Sequence, residues 1–254
     1  MSDSNEKRFS ELSDSSFLIQ LAYPALQELG LDVERIVSEC KISTQLLRDR
    51  TARFPHAAQV QFWRVLEEVS GDKNIGLHLA NVVPVYRGQV LEYLFLSSQN
   101  FGDGLRRAQN YQRLVTDAMQ FKLNVEGDEA RVVLNFCGDG EVELRHRDEC
   151  FMRFLQRYFD AVTDGAFEAK EINLSHEAQG DIDEYLRHFN CPVHFGAAEQ
   201  SLVFDSQILS TPSSHAEPDL LKLHEKMASK QLERLSRQDV VGEVKQVIAG
   251  GLEL

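Results

Sequence analysis

The feature that most constrains the fold is a change of hydrophobic period part-way along the chain. Up to Val115 apolar residues recur at helical spacing. Phe17, Leu18, Leu21, Ala25, Leu26 and Leu29 form one stripe ended by Gly30, and Val33, Ile36, Val37 and Cys40 form another entered near Asp32. A short turn or helix is expected at 44–50. Val60, Trp63, Val65, Leu66 and Val69 carry the next helix, closed by Ser70-Gly71-Asp72, a short helix is expected at 75–80, and Pro84 with Gly88 breaks the chain before 89–97. Phe101-Gly102-Asp103 reads as a helix start with Asp103 as its cap, burying Leu105, Ala108, Tyr111, Leu114 and Val115. From Met119 the period falls to two. Met119, Phe121, Leu123 and Val125 alternate with polar residues, Gly127-Asp128 turns the chain, and residues 131–136 return with strand composition, which predicts a hairpin.

Residues 145–162 then form a long helix whose buried side is unusually aromatic: Cys150, Phe151, Phe154, Leu155, Tyr158, Phe159 and Val162. Strands are expected at 171–175, 193–195 and 201–204, with a helix at 182–189. The order predicts an α+β fold: a helical N-terminal lobe followed by a mixed lobe with helices on a mostly antiparallel sheet. Residues 1–14 read as a frayed tail. An amphipathic helix at 219–235 follows the loop marked by Pro212 and Pro218, and Ser236-Arg237-Gln238 interrupts its stripe before a fresh apolar helix starts at Asp239.

Composition excludes several classes. A chain of 254 residues with 43% hydrophobic residues can bury a substantial core. No run approaches the roughly 20 apolar residues of a membrane helix, and no export signal is visible, so a cytoplasmic protein with no membrane partner is expected. Cys40, Cys137, Cys150 and Cys191 stand singly and read as reduced thiols. The net charge of −13 repels a polyanion over most of the surface, so no residue of this chain is assigned to DNA.

Three stretches carry a resemblance. Residues 71–79, Gly-Asp-Lys-Asn-Ile-Gly-Leu-His-Leu, residues 94–105, which include Ser97-Ser98 and Leu105, and residues 189–197 with Leu202-Val203-Phe204 and Leu209 resemble segments of the arabinose-binding-like sensing domain of AraC-type transcription regulators. Gln99 and Asn100 depart from the family's Pro-Thr, and Gly104 from its small helix-forming residue. The likeness spans residues 15–235, and 236–254 resemble a linker and the first helix of the family's DNA-binding domain. It implies an effector-binding, dimerising module that controls sequence-specific DNA binding through a C-terminal domain absent from this chain, with a homodimer and a small-molecule effector as partners. The alternative is a stand-alone small-molecule binding protein without a DNA partner.

No enzyme is expected. Eight His and four Cys supply many possible pairs, but no nucleophile sits in a recognisable elbow, Gly102-Asp103-Gly104 lacks a dinucleotide-site pattern, and Glu141 with Glu143 reads as a solvated pair. No catalytic residue, cofactor or metal is assigned. The spacing His188-x-x-Cys191-x-x-His194 suits zinc or copper, but Pro192 sits within it and a strand would turn His194 away from Cys191. Candidate effector contacts are cations beside aromatic residues: Tyr86, Arg87, Tyr111, Arg145, Arg147 and Tyr158, with Arg153 and Arg157 on the same aromatic helix. The aromatic stripe itself is expected to fill a core rather than line a pocket.

Overall fold

The computed structural model describes residues 12–136, 144–179 and 181–251. The thiol of Cys137 and the Glu141–Glu143 pair lie outside them, as do residues 1–11 of the expected tail. Ser13 and Asp14, placed in that tail by the sequence, belong instead to β1 (Ser13–Ser15), which pairs antiparallel with β2 (Arg53–Pro55). Asp14 is its anchor. The fully buried carboxylate accepts from Gln59 Nε2 at 3.1 Å and Thr116 Oγ1 at 2.6 Å and lies 2.9 Å from His56 Nδ1. A buried carboxyl group is tolerable only when its polar atoms are engaged, so this short polar strand is held by the hydrogen bonds of Asp14.

Seven helices precede the sheet among the described residues: α1 (Phe17–Glu28), α2 (Val33–Glu39), α3 (Thr44–Arg48), α4 (Ala58–Ser70), α5 (Ile75–Val82), α6 (Val90–Leu96) and α7 (Phe101–Tyr111). Local chemistry sets their ends. Asp32 and Ser43 accept from the backbone N–H groups of Arg35 and Leu46, and Gly71 closes α4 in the left-handed region with φ 65°. The cap of α7 differs from expectation. Asn100 takes the Asp103 N–H at 2.8 Å, and Asp103 lies one turn inside. Asparagine is a good capping residue, and an acid in the first turn suits the helix dipole.

The mixed lobe holds β3 (Met119–Glu126), β4 (Glu129–Phe136), α8 (Arg145–Val162), β5 (Ala169–Asn173), α9 (Ile182–Phe189), β6 (Val193–His194) and β7 (Gln200–Asp205). The sheet runs β3-β4-β7-β5-β6, antiparallel except for the β5–β6 edge. β3 and β4 pair from Met119↔Phe136 to Glu126↔Glu129, with Gly127 supplying the positive φ of the turn. Met152, Leu155 and Phe159 of α8 meet Phe121, Leu134 and Phe204 of the sheet in one core. Phe159 lies edge-on to Phe101 and Phe167, with centroids 5.1 and 5.3 Å away. The other face of α8 meets α5 so closely that a Cβ on Gly76 would stand 2.3 Å from the His146 carbonyl oxygen.

The last described element is α10 (Pro218–Gly251), a single helix of 34 residues. Ser236-Arg237-Gln238 interrupt its apolar stripe but not its backbone, as expected of a segment containing Arg and Gln, both good helix formers. Ala228 is buried against Val90 and Leu94 of α6. Arg107 pairs with Glu225 at 2.9 Å, and Tyr111 Oη lies 2.9 Å from Ser229 Oγ.

Candidate functional site

An apolar cavity of about 340 Å³ lies where the helices of the first lobe meet α8 and β3. Its walls come from distant parts of the sequence. α1 contributes Leu18 and Ala22, α4 Phe62 and Trp63, and α6 Val90, Leu91 and Phe95. β3 adds Met119 and Phe121. The largest single contribution is α8, whose Phe151, Phe154, Leu155 and Tyr158 recur at three- and four-residue spacing and so share one face. The aromatic stripe thus has two uses. Leu155 and Phe159 belong to the core against the sheet, while the same surface forms a cavity wall. Rings cannot bend to fill the angle between helices that cross at different heights, so a helix rich in them is suited to bounding open space.

Most polar groups that reach the cavity are already engaged. Gln59 accepts from Trp63 Nε1 at 3.0 Å and donates to Asp14. One Glu92 oxygen accepts the N–H groups of Arg87, Gly88 and Gln89, which closes the start of α6. Gln112 Oε1 accepts from the Phe121 N–H. The Cys150 thiol is pushed up to about 12 by burial and stays protonated at neutral pH. Tyr158 is the exception. Its side chain is 8% exposed, burial holds its hydroxyl well above the ordinary tyrosine range, and that hydroxyl has no hydrogen-bond partner among the described residues.

Of the six residues singled out as effector contacts, the structure brings Arg147 and Tyr158 to the cavity wall. Arg147 pairs with Asp148 at 2.8 Å and lies 3.7 Å above the Phe136 ring. Tyr86 is 41% exposed and packs edge-on to Tyr158 at 6.0 Å. Arg87 reaches the Gln20 carbonyl from the surface, and Tyr111 turns towards α10. Arg145 joins a buried network, donating to Glu149 at 3.0 Å and to the Lys73 carbonyl at 2.7 Å. Arg153 donates to Asn81, and Arg157 to the carbonyls of Ala80 and Val83 at the end of α5. Sequence reasoning missed the walls supplied by α1, β2 and α3, such as Phe54 and Leu46, because an apolar side chain facing a cavity is spelled like one facing a core.

The spacing His188-x-x-Cys191-x-x-His194 does not converge. His194 is exposed beside Glu171, at 3.4 Å, whereas His188 turns to α5. There it meets His78 and, on its own helix, Glu184; among the described residues these three form the group able to hold a metal ion.

An α+β module with an apolar cavity and, on its wall, a hydroxyl without a hydrogen-bond partner among the described residues has the make-up of a small-molecule site, since such sites are concave, mostly apolar and provided with few polar groups. The chain belongs to the family of the arabinose-binding domain of AraC transcription regulators, N-terminal, whose model matches residues 30–213. This is a regulator's ligand-binding family and not an enzyme family. The fold is similar to that of the transcriptional regulator CdpR from Pseudomonas aeruginosa, with a TM-score of 0.57 at 15% identity over 79% of this chain and 63% of that one. The chain therefore spans less than two thirds of that regulator. No curated protein matches the sequence. Among the described residues no helix is long and apolar enough to cross a membrane.

Proposed function

We propose that this chain binds a small, mainly apolar effector in the cavity and passes its presence through α6 to α10, and so to a DNA-reading domain that follows the sensing domain in regulators of this kind. One observation carries the reading. Val90, Leu91 and Leu114 belong both to the cavity wall and to the cluster on which α10 sits. A ligand that displaces these side chains changes the seat of α10 directly. An effector acts only through differential affinity for two poses, and a shared wall is where such a difference arises.

The lining also sets the effector's chemistry. A pentose carries hydroxyls on every face, and burying unpaired hydroxyls here costs roughly 1–3 kcal/mol each. An apolar body with one hydrogen-bonding group placed at Tyr158 Oη fits better. Residues 236–251 are assigned to the connector, and the exposed row Leu220, Leu223 and Met227 on α10 to the pairing of two copies.

Trp63, the chain's one tryptophan, lines the cavity and reports on it. An apolar fluorescent probe such as anilinonaphthalene sulfonate is expected to bind saturably, to change Trp63 emission, and to lose its site in an Ala22→Trp variant. Hydrogen exchange is expected to change in α10 on binding. Non-saturable binding, or binding indifferent to Ala22→Trp, refutes the cavity as the site. Saturable binding that leaves α10 exchange unaltered favours the stand-alone binding protein instead.

A further inference from the structure

We propose that His78, Glu184 and His188 form a binding site for a divalent transition-metal ion of the zinc class, linking α5 to α9. Glu184 and His188 lie one turn apart on α9, and His78 faces them from α5. His78 Nε2 is 2.6 Å from Glu184 Oε1, His188 Nε2 is 3.8 Å from the same oxygen, and one ligand atom from each residue lies within 4.8 Å of the others. Ligand atoms on a tetrahedral ion with bonds of about 2.0–2.1 Å stand about 3.3 Å apart. Side-chain rotations are enough to approach that arrangement, since no two of these ligand atoms stand more than 4.8 Å apart. Two imidazoles and one carboxylate select zinc and its neighbours over magnesium or calcium, which prefer all-oxygen sites.

Groups behind the ligands are arranged as such a site needs. Asp72 Oδ2 lies 2.5 Å from His78 Nδ1, which fixes a proton on that nitrogen, and the proton that His78 Nε2 donates to Glu184 Oε1 at 2.6 Å is released to solvent when the ion takes its place. Asn74 Nδ2 donates to the second Glu184 oxygen, leaving Oε1 to coordinate. The three side chains are 21–33% exposed, so an ion can enter and water can complete its coordination.

His188 imposes a cost. Asn81 Nδ2 lies 2.9 Å from His188 Nδ1, and Asn81 Oδ1 accepts from Arg153 Nε at 3.0 Å. With Asn81 donating, the imidazole proton stays on Nε2. Loading the ion moves that proton to Nδ1 and turns the Asn81 amide, at the expense of the Arg153 bond. An Asn81→Asp carboxylate accepts from both groups, so it is expected to tighten metal binding. A merely structural cluster has no reason to respond in that way.

The test uses the untagged full chain stripped with chelator. Equilibrium dialysis against Zn²⁺ is expected to give one equivalent per chain, Co²⁺ to give a visible ligand-field spectrum displaced by Zn²⁺, and Mg²⁺ to give neither. His188→Gln and Glu184→Gln are each expected to weaken Zn²⁺ binding at least tenfold, with metal-free thermal unfolding recorded alongside to show that the variants fold. Asn81→Asp is expected to strengthen it. No saturable Zn²⁺ binding, or affinity retained in both Gln variants, overturns the site; an Asn81→Asp variant that binds no more tightly overturns the role given to His188 Nε2.

Discussion

Gly76→Ala tests how rigidly α5 is set against α8. The added Cβ would stand 2.3 Å from the His146 carbonyl oxygen and 2.8 Å from its Cα, both backbone atoms within a helix, so no side-chain rotation relieves it. Reaching the 3.4 Å at which ordinary contact begins requires about 1.1 Å of separation along the α5–α8 seam. Leu77, Leu79, Ala80 and Met152 are essentially inaccessible there, and a gap of about 0.5–1 Å forfeits a quarter to a half of each dispersion contact. Overpacking of this kind costs about 3 kcal/mol at the upper end of its usual range. Replacing helical glycine by alanine returns at most about 1 kcal/mol. The net loss is therefore about 2 kcal/mol, or about 4–8 °C in melting temperature for a chain of this size. Thermal unfolding followed by circular dichroism, with a urea titration in parallel, measures it. An unchanged or higher melting temperature would show that the helices part freely, and would refute the view that the cavity is bounded by a rigid α5–α8 pair.

Gly104→Ala is expected to behave differently, because its Cβ would meet the Phe95 ring at 2.6 Å, a side chain that can turn. The ring lines the cavity, so the substitution should alter probe affinity more than unfolding temperature; the reverse order in fluorescence titration and melting would contradict it. Glu149→Gln removes the partner of buried Arg145 and is expected to cost about 3–5 kcal/mol in urea unfolding, as breaking a buried pair on one side usually does. A loss below 1 kcal/mol would mean that the Arg145 contacts to Tyr185 and Lys73 suffice. Burial raises the Asp117 carboxyl, but Arg53, the Ser13 hydroxyl and Arg113 outweigh it and hold the group below the ordinary 3.8. A depressed folded value contributes stability above the unfolded value and loses it as pH falls through the folded one. Asp117→Asn is thus expected to lower stability at neutral pH and to flatten the loss of stability below pH 3.8, measured by melting across pH 2–7. Identical pH profiles would exclude Asp117 as a source of acid sensitivity.

The elements easiest to read from the sequence were those with a strong period. The β3–β4 hairpin follows from the alternation at Met119, Phe121, Leu123 and Val125, and α8 from its aromatic stripe. β1 and β2 carry no period: Ser-Asp-Ser and Arg-Phe-Pro become strands because Asp14 finds partners 42 to 102 residues away. The parallel β5–β6 edge is likewise a matter of position in the sheet, which two residues of local sequence cannot encode. Charge beside aromatic residues was a poor guide to the cavity. Arg145 and Arg157 satisfy buried carbonyl and carboxylate oxygens, and of the tyrosines only Tyr158 presents an unengaged hydroxyl to it. The His78–Glu184–His188 group was hidden because His78 lies more than 100 residues from the other two and meets them only when α9 crosses α5.

The unbroken course of α10 has a mechanical consequence. Its seat on α6 lies at Leu221 and Ala228, near one end, and the helix runs to Gly251. At 1.5 Å per residue the helix beyond Ala228 is about 35 Å long, so a tilt of about 5° about that residue sweeps its tip through about 3 Å. A displacement of that size is comparable to half the width of a DNA minor groove, about 6 Å. Under the function proposed above, the helix is a lever whose fulcrum is the cavity wall, which lets a side-chain movement too small to alter the fold become a positional change large enough for a neighbouring domain to register.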